Sequence, residues 1–472
     1  MKVEQLYTSC LSEMAYYICS NGEAAIIDPL RETEPYIRLA EADGVKIKYV
    51  FLTHFHADFV SGHVDLAQKT GATIVFGPNA KTDFDFYQGA DGELFKIGDV
   101  SLKLLHTPGH TMESSSYLLI DKEGFTPYVF TGDCLFIGDV GRPDLAVKSD
   151  LSENDLAGLL YDSLRNKIMP LPDDIIVYPA HGAGSACGKN MSKETFDTLG
   201  HQKATNYALR ANMTKKEFIN EVITGLVHPP QYFPKNVQMN KSVNAKIDDI
   251  IHRGTTPLDV NTFKALSQQG DVLVIDTRSK QSYTDDGTIP GAWYIGVDGN
   301  FAPWVGTLII DINQKIIFIA DDELRVNEIV TRFSRVGYDN TLGYLAGGFT
   351  AWREAGFAVD KINSETAANF AKKFKDGTIP DAIDVRRDSE YLSQHVEGLT
   401  NFPLDTIHQN IENLDPNKNY HLHCASGYRS LITASILQAH GIKNVTDIRG
   451  GFNDLKETDL KMTDFVCPTT LL

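Results

Sequence analysis

Four histidines and two aspartates in the first half of the chain stand where a metal ion could use them. His54-Phe-His56-Ala-Asp58 packs three donors into five residues, and His110, Asp133 and His181 follow singly. Imidazole and carboxylate together bind divalent transition metals, and an ion left with open positions can polarise a substrate or activate a small molecule. A different chemistry is set up near the C-terminus, where Cys424-Ala-Ser-Gly-Tyr-Arg429 holds a thiol and a guanidinium at the two ends of a six-residue loop. A helix is expected from about Leu431, so the cysteine would face converging backbone N–H groups and the positive end of the helix dipole. Its thiolate should be favoured there, ready to act as a nucleophile or to hold a persulfide anion. The plain alternative is a cysteine buried as a small hydrophobe. The loop context weighs against it.

The elements that must deliver these groups can be read from apolar runs. Tyr49–Thr53 ends at His54, Ser101–Leu105 leads through His106-Thr-Pro-Gly to His110, Tyr128–Gly132 ends at Asp133, and Ile175–Ala180 ends at His181. Continuous apolar runs of this length fit strands buried on both faces, whose loops gather at one sheet edge. Any one of these histidines alone would pass for a hydrogen-bonded loop residue. Four in the same setting point to a shared site.

The rest of the chain repeats itself. Val274-Ile-Asp276-Thr-Arg278 recurs as Ala382-Ile-Asp384-Val-Arg386, Tyr283 as Tyr391, and Gly347-Gly348-Phe349 as Gly450-Gly451-Phe452. Apolar strands at Lys315–Ile319 and Asn419–His423 lie between the anchors of each copy. A repeat this long is a duplicated domain, and its alternating strand and helix signals imply a parallel α/β sheet. The first region ends in an expected helix opened by the capping box Thr214-x-x-Glu217, with Phe218, Val222, Ile223 and Leu226 on its apolar side. His228-Pro-Pro-Gln-Tyr-Phe-Pro234 forbids continued helix, and the polar stretch from Lys235 to about Thr256 reads as a connection. The expected domains are residues 1–235, 256–358 and 366–466.

Composition narrows the function class. Forty-four Lys and Arg against 62 Asp and Glu leave −18, a charge that repels phosphate backbones and anionic lipid, so neither nucleic acid nor membrane is an expected partner. The first residues lack the apolar core of a signal peptide, and no run approaches the roughly 18 apolar residues of a membrane span. Six scattered cysteines make no disulfide framework. A cytoplasmic protein is expected.

Residues 1–235 resemble the metallo-β-lactamase superfamily, whose signature is His-x-His-x-Asp-His. Gly109-His110-Thr111, Gly132-Asp133 and Ala180-His181-Gly182 match its later pieces. Phe59 stands where that pattern has a second-site histidine, and a phenylalanine offers no electron pair. This argues against a two-zinc hydrolase of the glyoxalase II or lactamase type. Two imidazoles and one carboxylate are the facial triad of non-haem Fe(II) oxygenases. The persulfide dioxygenase branch looks like this, which implies one Fe(II) per chain held by His54, His110 and Asp133. His56, Asp58 and His181 would then orient ligands or a water, and Arg142 would support the substrate pocket. In the glutathione-using enzymes Asp-Tyr follows the last of these histidines, but Gly182-Ala183 follows here and leaves the thiol carrier open. Cys187 lies on the same loop and reads either as a second persulfide carrier or as packing.

Residues 366–466 look like a rhodanese (sulfurtransferase) domain, with Cys424 and Arg429 as its reactive pair and Asp384, Arg386, Ser426 and Gly427 in support. Related phosphatases use a loop one residue longer, so sulfur is the better substrate. In the middle copy Ala320 replaces the cysteine, and Asp321, Asp322 and Glu323 fill a loop that should attract anions. That copy is expected to be silent. The expected architecture is α/β multidomain: a metallo-β-lactamase αββα sandwich followed by two rhodanese-type α/β parallel-sheet domains. The implied activity is oxidation of a low-molecular-weight thiol persulfide by O2 to sulfite and thiol, coupled through Cys424 to thiosulfate, in a homo-oligomer. Two alternatives stay open, a zinc thioesterase of the glyoxalase II type with an accessory sulfurtransferase, and a non-enzymatic sulfur carrier or sensor.

Overall fold

The strand Glu13–Ser20 is buried along nearly its whole length, and its side chains divide by parity between two cores. Met14, Tyr16 and Ile18 enter one cluster, while Ala15 and Tyr17 enter another. A strand in the middle of a layered structure does this because successive side chains point to opposite faces. The computed structural model describes residues 1–146, 151–379 and 381–467. Two compact units make up the chain, Met1–Ile247 with Ser334–Gly337, and Asp248–Phe333 with Tyr338–Leu472.

The first unit holds two six-stranded sheets. One runs Lys2–Thr8, Glu13–Ser20, Glu23–Ile27, Lys46–Phe51, Thr73–Phe76 and Tyr87–Gln88 in spatial order. The other runs Asp197–Thr198, Ile176–Pro179, Tyr128–Gly132, Ser115–Ile120, Val100–His106 and Leu94–Ile97. Tyr16, Ile27, Phe51 and Val75 of the first meet Leu102, Leu104, Tyr117 and Phe130 of the second in a shared core. Helices Glu34–Asp43 and His63–Thr70 cover the outer face of the first sheet through Tyr36, Ala40 and Leu66. Helices Glu153–Ser163 and Lys215–Ile223 cover the second through Leu160, Phe218 and Val222. The layering is the αββα sandwich that the sequence implies.

The capping box at Thr214 and Glu217 is formed, and the helix it opens buries Phe218 and Val222. Ile223 is its last residue and is half-buried, and Leu226 lies beyond it. The stretch expected to be a polar connection is partly helical, over Phe233–Asn240 and Ile247–Gly254. The helix opened at Thr214 ends at Ile223, before the prolines, and Pro234 lies in the first turn of the next helix, where a proline has no hydrogen bond to lose.

The second unit contains the duplication as two five-stranded sheets of identical order. The strands run Pro257–Leu258, Thr341–Leu345, Lys315–Ile319, Val272–Asp276, Trp293–Tyr294 in one. In the other they run Asn363–Thr366, Val445–Arg449, Tyr420–His423, Ala382–Asp384, Thr400–Asn401. Every named pairing in both is parallel. The helix after Cys424 spans Arg429–Ala439, two residues earlier than its apolar pattern suggests.

Candidate metal centre and sulfur-transfer loop

The strand ends bring their donors together. One ligand atom each from His54, His110 and Asp133 lies within 4.8 Å of the others, with all three residues buried. His54 Nε2 and His110 Nε2 stand 3.7 and 3.4 Å from Asp133 Oδ2. Two donors at about 2.1 Å from one ion, on adjacent positions, stand roughly 3.0–3.5 Å apart. His54 Nε2 and Asp133 Oδ2 have no hydrogen-bond partner among the described residues, although burying such atoms unpaired is costly. A metal ion resolves that cost. The donor set suits iron or zinc.

Protonation states agree with that use. Burial, with His56 beside it, holds His54 well below the ordinary imidazole value, so the ring is neutral and free to donate. Burial alone would raise the Asp133 carboxyl, but His181, His54 and His110 outweigh it and keep Asp133 ionised.

Each of these three side chains is oriented from behind. His110 Nδ1 shares a hydrogen bond with the Arg142 carbonyl at 2.8 Å. His54 Nδ1 shares one with Thr53 Oγ1 at 2.9 Å, and that hydroxyl donates to Asp28 Oδ2 at 2.7 Å. His181 Nδ1 holds Asp133 Oδ1 at 2.8 Å, and its Nε2 lies 2.9 Å from Asp58 Oδ2. Such contacts fix ring orientation and donor strength. Gly132 makes the turn possible, since its φ is +54° and a Cβ there would stand 2.6 Å from the Thr53 side chain.

The remaining residues singled out in the sequence also fall near this point. His56, Asp58 and His181 form a second buried group within 4.8 Å, with His56 Nε2 3.0 Å from Asp28 Oδ1. Phe59 is fully buried, its ring 4.3 Å from that of His56. The Arg142 guanidinium is turned to Asp144 (2.7 Å twice) and to the carbonyls of Ala186 and Val227. Cys187 lies within 4.8 Å of donor atoms of Asp133 and His181, and burial pushes its thiol well above the ordinary value. Burial likewise takes the Cys134 thiol up to about 12.

Three residues with a part here were not singled out in the sequence. Asp28 follows the strand Glu23–Ile27 at φ +49° and ties both His54 and His56. Glu13 is buried with both carboxylate oxygens unpartnered among the described residues, and burial raises it well above the carboxylate range. Asn240 donates to the carbonyls of His56 and Phe59 at 2.8 Å and accepts from Ser61 N at 2.8 Å. The His-x-His-x-Asp loop is therefore pinned by a helix almost two hundred residues away in sequence. Asp28-Pro29 after an apolar run was the readable hint, since Asp often closes a strand with its own side chain.

In the second unit, Cys424 is buried at the end of Tyr420–His423, and Gly427 N donates to its Sγ at 3.1 Å. Gly451 closes against the loop from the other side. A Cβ on it would stand 2.3 Å from the Cys424 carbonyl, which accepts from Phe452 N at 2.7 Å. Ser430 Oγ lies 3.7 Å from Cys424 Sγ and donates to Asp447 Oδ1 at 2.6 Å. Arg429 is bound by both oxygens of Glu390, at 2.5 and 2.8 Å. Ser426 is exposed at the rim of the loop. Asp384 and Arg386 form a buried two-bond pair beneath it.

The corresponding loop of the middle copy is filled by its own carboxylates. Glu323 Oε1 accepts from Gly347 N at 2.8 Å, Asp321 Oδ2 from Ser279 N at 2.6 Å, and Asp322 Oδ1 from Leu324 N at 2.9 Å. Donors that could serve an anion are taken. Ala320 offers no sulfur in any case.

Comparison with known proteins agrees with this layout. Residues 9–181 match the family described as the metallo-beta-lactamase superfamily, and residues 259–355 and 366–458 each match the rhodanese-like domain. Hydroxyacylglutathione hydrolase GloC of Haemophilus influenzae is 31% identical over 195 residues, covering 37% of this chain and 86% of that protein. Among solved structures, a metallo-beta-lactamase from Staphylococcus aureus is 32% identical with a TM-score of 0.63, covering 73% of this chain and 98% of the other. ETHE1 from Myxococcus xanthus is 29% identical with a TM-score of 0.43, covering 51% and 100%. With His and Asp side chains gathered at its strand ends and two parallel-sheet repeats, this chain belongs to the metallo-beta-lactamase superfamily, in a form that carries two rhodanese-like domains after the lactamase-fold domain.

Proposed function

We propose that the chain is a persulfide dioxygenase fused to a sulfurtransferase, cytoplasmic and homo-oligomeric, which clears sulfide-derived sulfur. Residues 1–235 form the dioxygenase domain, 256–358 a silent rhodanese domain and 366–466 the active one. Fe(II), one per chain, held by His54, His110 and Asp133, supplies the O2 chemistry that takes a low-molecular-weight thiol persulfide, with one water, to thiol and sulfite. His181 holds the Asp133 carboxylate by its second oxygen, Thr53 and Asp28 fix the His54 ring, and the Arg142 carbonyl fixes that of His110. Phe59 packs beside the His56 ring and Phe136 beside the His181 ring.

At the other site, the Cys424 thiolate attacks the outer sulfur of a second persulfide, releasing thiol and leaving a Cys424 persulfide. Gly427 N–H donates to Cys424 Sγ. Sulfite then attacks the outer sulfur, the S–S bond breaks toward Cys424, and thiosulfate leaves as the thiolate returns. No net oxidation occurs in this step.

The observation that carries the reading is the buried His54, His110 and Asp133 trio with Phe59 in place of a further donor. Anaerobic purification with metal analysis, followed by O2 uptake on glutathione persulfide, tests it. One iron per chain and uptake on persulfide are expected. Two tightly bound zincs without O2 uptake would overturn it. One observation favours a second reading, the likeness to a hydroxyacylglutathione hydrolase over most of that protein's length. Hydrolysis of a hydroxyacylglutathione thioester by the zinc-loaded protein would establish it.

A further inference from the structure

The silent middle domain sends one side chain into the neighbourhood of Cys424. Lys280 opens the helix Lys280–Asp286, and its Nζ donates to the Ser426 carbonyl at 3.2 Å. The same ammonium stands 3.7 Å from the point where a Cβ on Gly427 would lie, and Gly427 N is the donor to Cys424 Sγ. Tyr428 OH donates to the Gly296 carbonyl at 2.8 Å, and Tyr294 N donates to Ser435 Oγ at 2.8 Å. The middle domain is thus built onto the loop and the helix behind it.

Charge makes this lysine unusual. Lys280 forms no ion pair with a carboxylate among the described residues, in a chain where acids outnumber bases 62 to 44. The cations of the active copy are already committed, Arg429 to Glu390 and Arg386 to Asp384. Other charges around the loop are Asp447, buried behind Ser430, and Arg449 at the end of the same strand. Nor does the helix explain the choice. A positive side chain in a first turn opposes the helix dipole.

The altered loop of the middle copy has a use in this arrangement. Asp321 accepts from the backbone N–H of Ser279 at 2.6 Å, which fixes the residue immediately before Lys280. An acid that rules out sulfur chemistry in its own domain therefore holds a base in place for the next.

We propose that Lys280 is an anion-binding residue of the Cys424 site, delivered by the silent domain, which receives the dianionic sulfur species, thiosulfate or sulfite, as they exchange sulfur with Cys424. The proposal rests on Cys424 being the sulfur carrier. A persulfide anion and a dianion repel each other, and a free ammonium at the rim offsets that repulsion without entering the bond changes. It acts on capture of the dianion more than on the step at sulfur.

The test is thiosulfate:cyanide sulfurtransferase kinetics on the full chain, with Lys280→Ala, Lys280→Glu and Lys280→Arg beside wild type. KM for thiosulfate should rise about tenfold in Lys280→Ala and further in Lys280→Glu, with kcat moving much less, and Lys280→Arg should restore it. Added salt should raise the wild-type KM and leave that of Lys280→Ala nearly flat, because screening acts on the charge the variant lacks. A KM for Lys280→Ala within twofold of wild type at low salt would overturn the proposal. So would a loss that Lys280→Arg fails to restore, since that marks a packing role. Failure of the underlying reading looks different: wild type itself would show no sulfur transfer, or transfer would survive Cys424→Ser.

Discussion

Replacing Asp447 by Asn should stabilise the protein at neutral and alkaline pH and do progressively less as pH falls. Asp447 lies in the strand Val445–Arg449 with 2% of its surface exposed. Burial pushes its carboxyl up to about 6, although the Ser430 hydroxyl and the charges of Lys280 and Arg449 pull the other way. The folded value thus exceeds the ordinary 3.8, so the folded state binds the proton more tightly than the unfolded chain does. Stability then falls as pH rises from about 4 through 6 and stays low above it. The full cost is about 3 kcal/mol, from roughly two units at 1.36 kcal/mol each. About half of it is in place by pH 5. Asn keeps an oxygen for the Ser430 hydroxyl and carries no charge, so the gap between variant and wild type should widen by roughly 1.5 kcal/mol between pH 5 and pH 8. Calorimetry of the transition that carries the rhodanese-like domains reads this, with a shift of several degrees expected at pH 8. An Asn variant whose advantage is the same at both pH values would refute the reasoning, because a penalty unrelated to ionisation does not depend on pH.

Four further outcomes follow from the two sites. Cys424→Ser should leave O2 uptake on persulfide intact while sulfite accumulates in place of thiosulfate, read as initial rates against a no-enzyme control; wild-type thiosulfate formation would move the transfer step elsewhere. His110→Ala removes one of three metal donors and should abolish both metal retention and O2 uptake, with thiosulfate:cyanide transfer at Cys424 unchanged. Asp28→Ala should lower metal affinity by about 10- to 100-fold in a chelator competition, because it frees Thr53 and His56 together. In an Ala320→Cys, Cys424→Ser double variant no sulfurtransferase activity should appear, since Asp321 and Glu323 already occupy backbone N–H groups around that loop.

Much of this was legible in the sequence, and what was not has a physical reason. The convergence of His54, His110 and Asp133 could be read because each sits near a strand end, so a local apolar run and the residue that follows it are enough. The departure of the middle loop could be read because three acids stand where an anion should bind, and the structure shows each of them bonded to a backbone N–H. Asn240 could not. Its part depends on a helix that folds back onto residues 56–61, and the stretch before and after it looks like a polar linker when packing is unknown. Glu13 could not be read either, since a single carboxylate on an apolar strand looks like an exposed residue until the fold buries it beside His181 and Asp28. Lys280 is the clearest case. Nothing local distinguishes it, and its meaning lies wholly in what the next domain places beside it.

The duplication supplies its own control for deciding which residues serve chemistry and which serve the fold. In the C-terminal copy Arg386 binds Asp384 through Nε and Nη2, reaches the Gln394 carbonyl at 2.8 Å and lies 3.8 Å over the Phe452 ring. The middle copy repeats this with Arg278 on Asp276, on the Gly287 carbonyl at 2.5 Å, and 4.2 Å over Phe349. Breaking one partner from a buried pair of this kind costs several kcal/mol, whatever happens at the neighbouring loop. The two copies therefore share what holds the end of the strand to the following helix and to the Gly-Gly-Phe turn. They differ at the loop, where one has a sulfur that accepts from Gly427 N and the other has carboxylates that take backbone N–H groups. Asp384 and Arg386 thus belong to the frame beneath the site. On the proposed reading, the chemistry falls to Cys424, the Gly427 N–H that donates to it, and Lys280 at the rim.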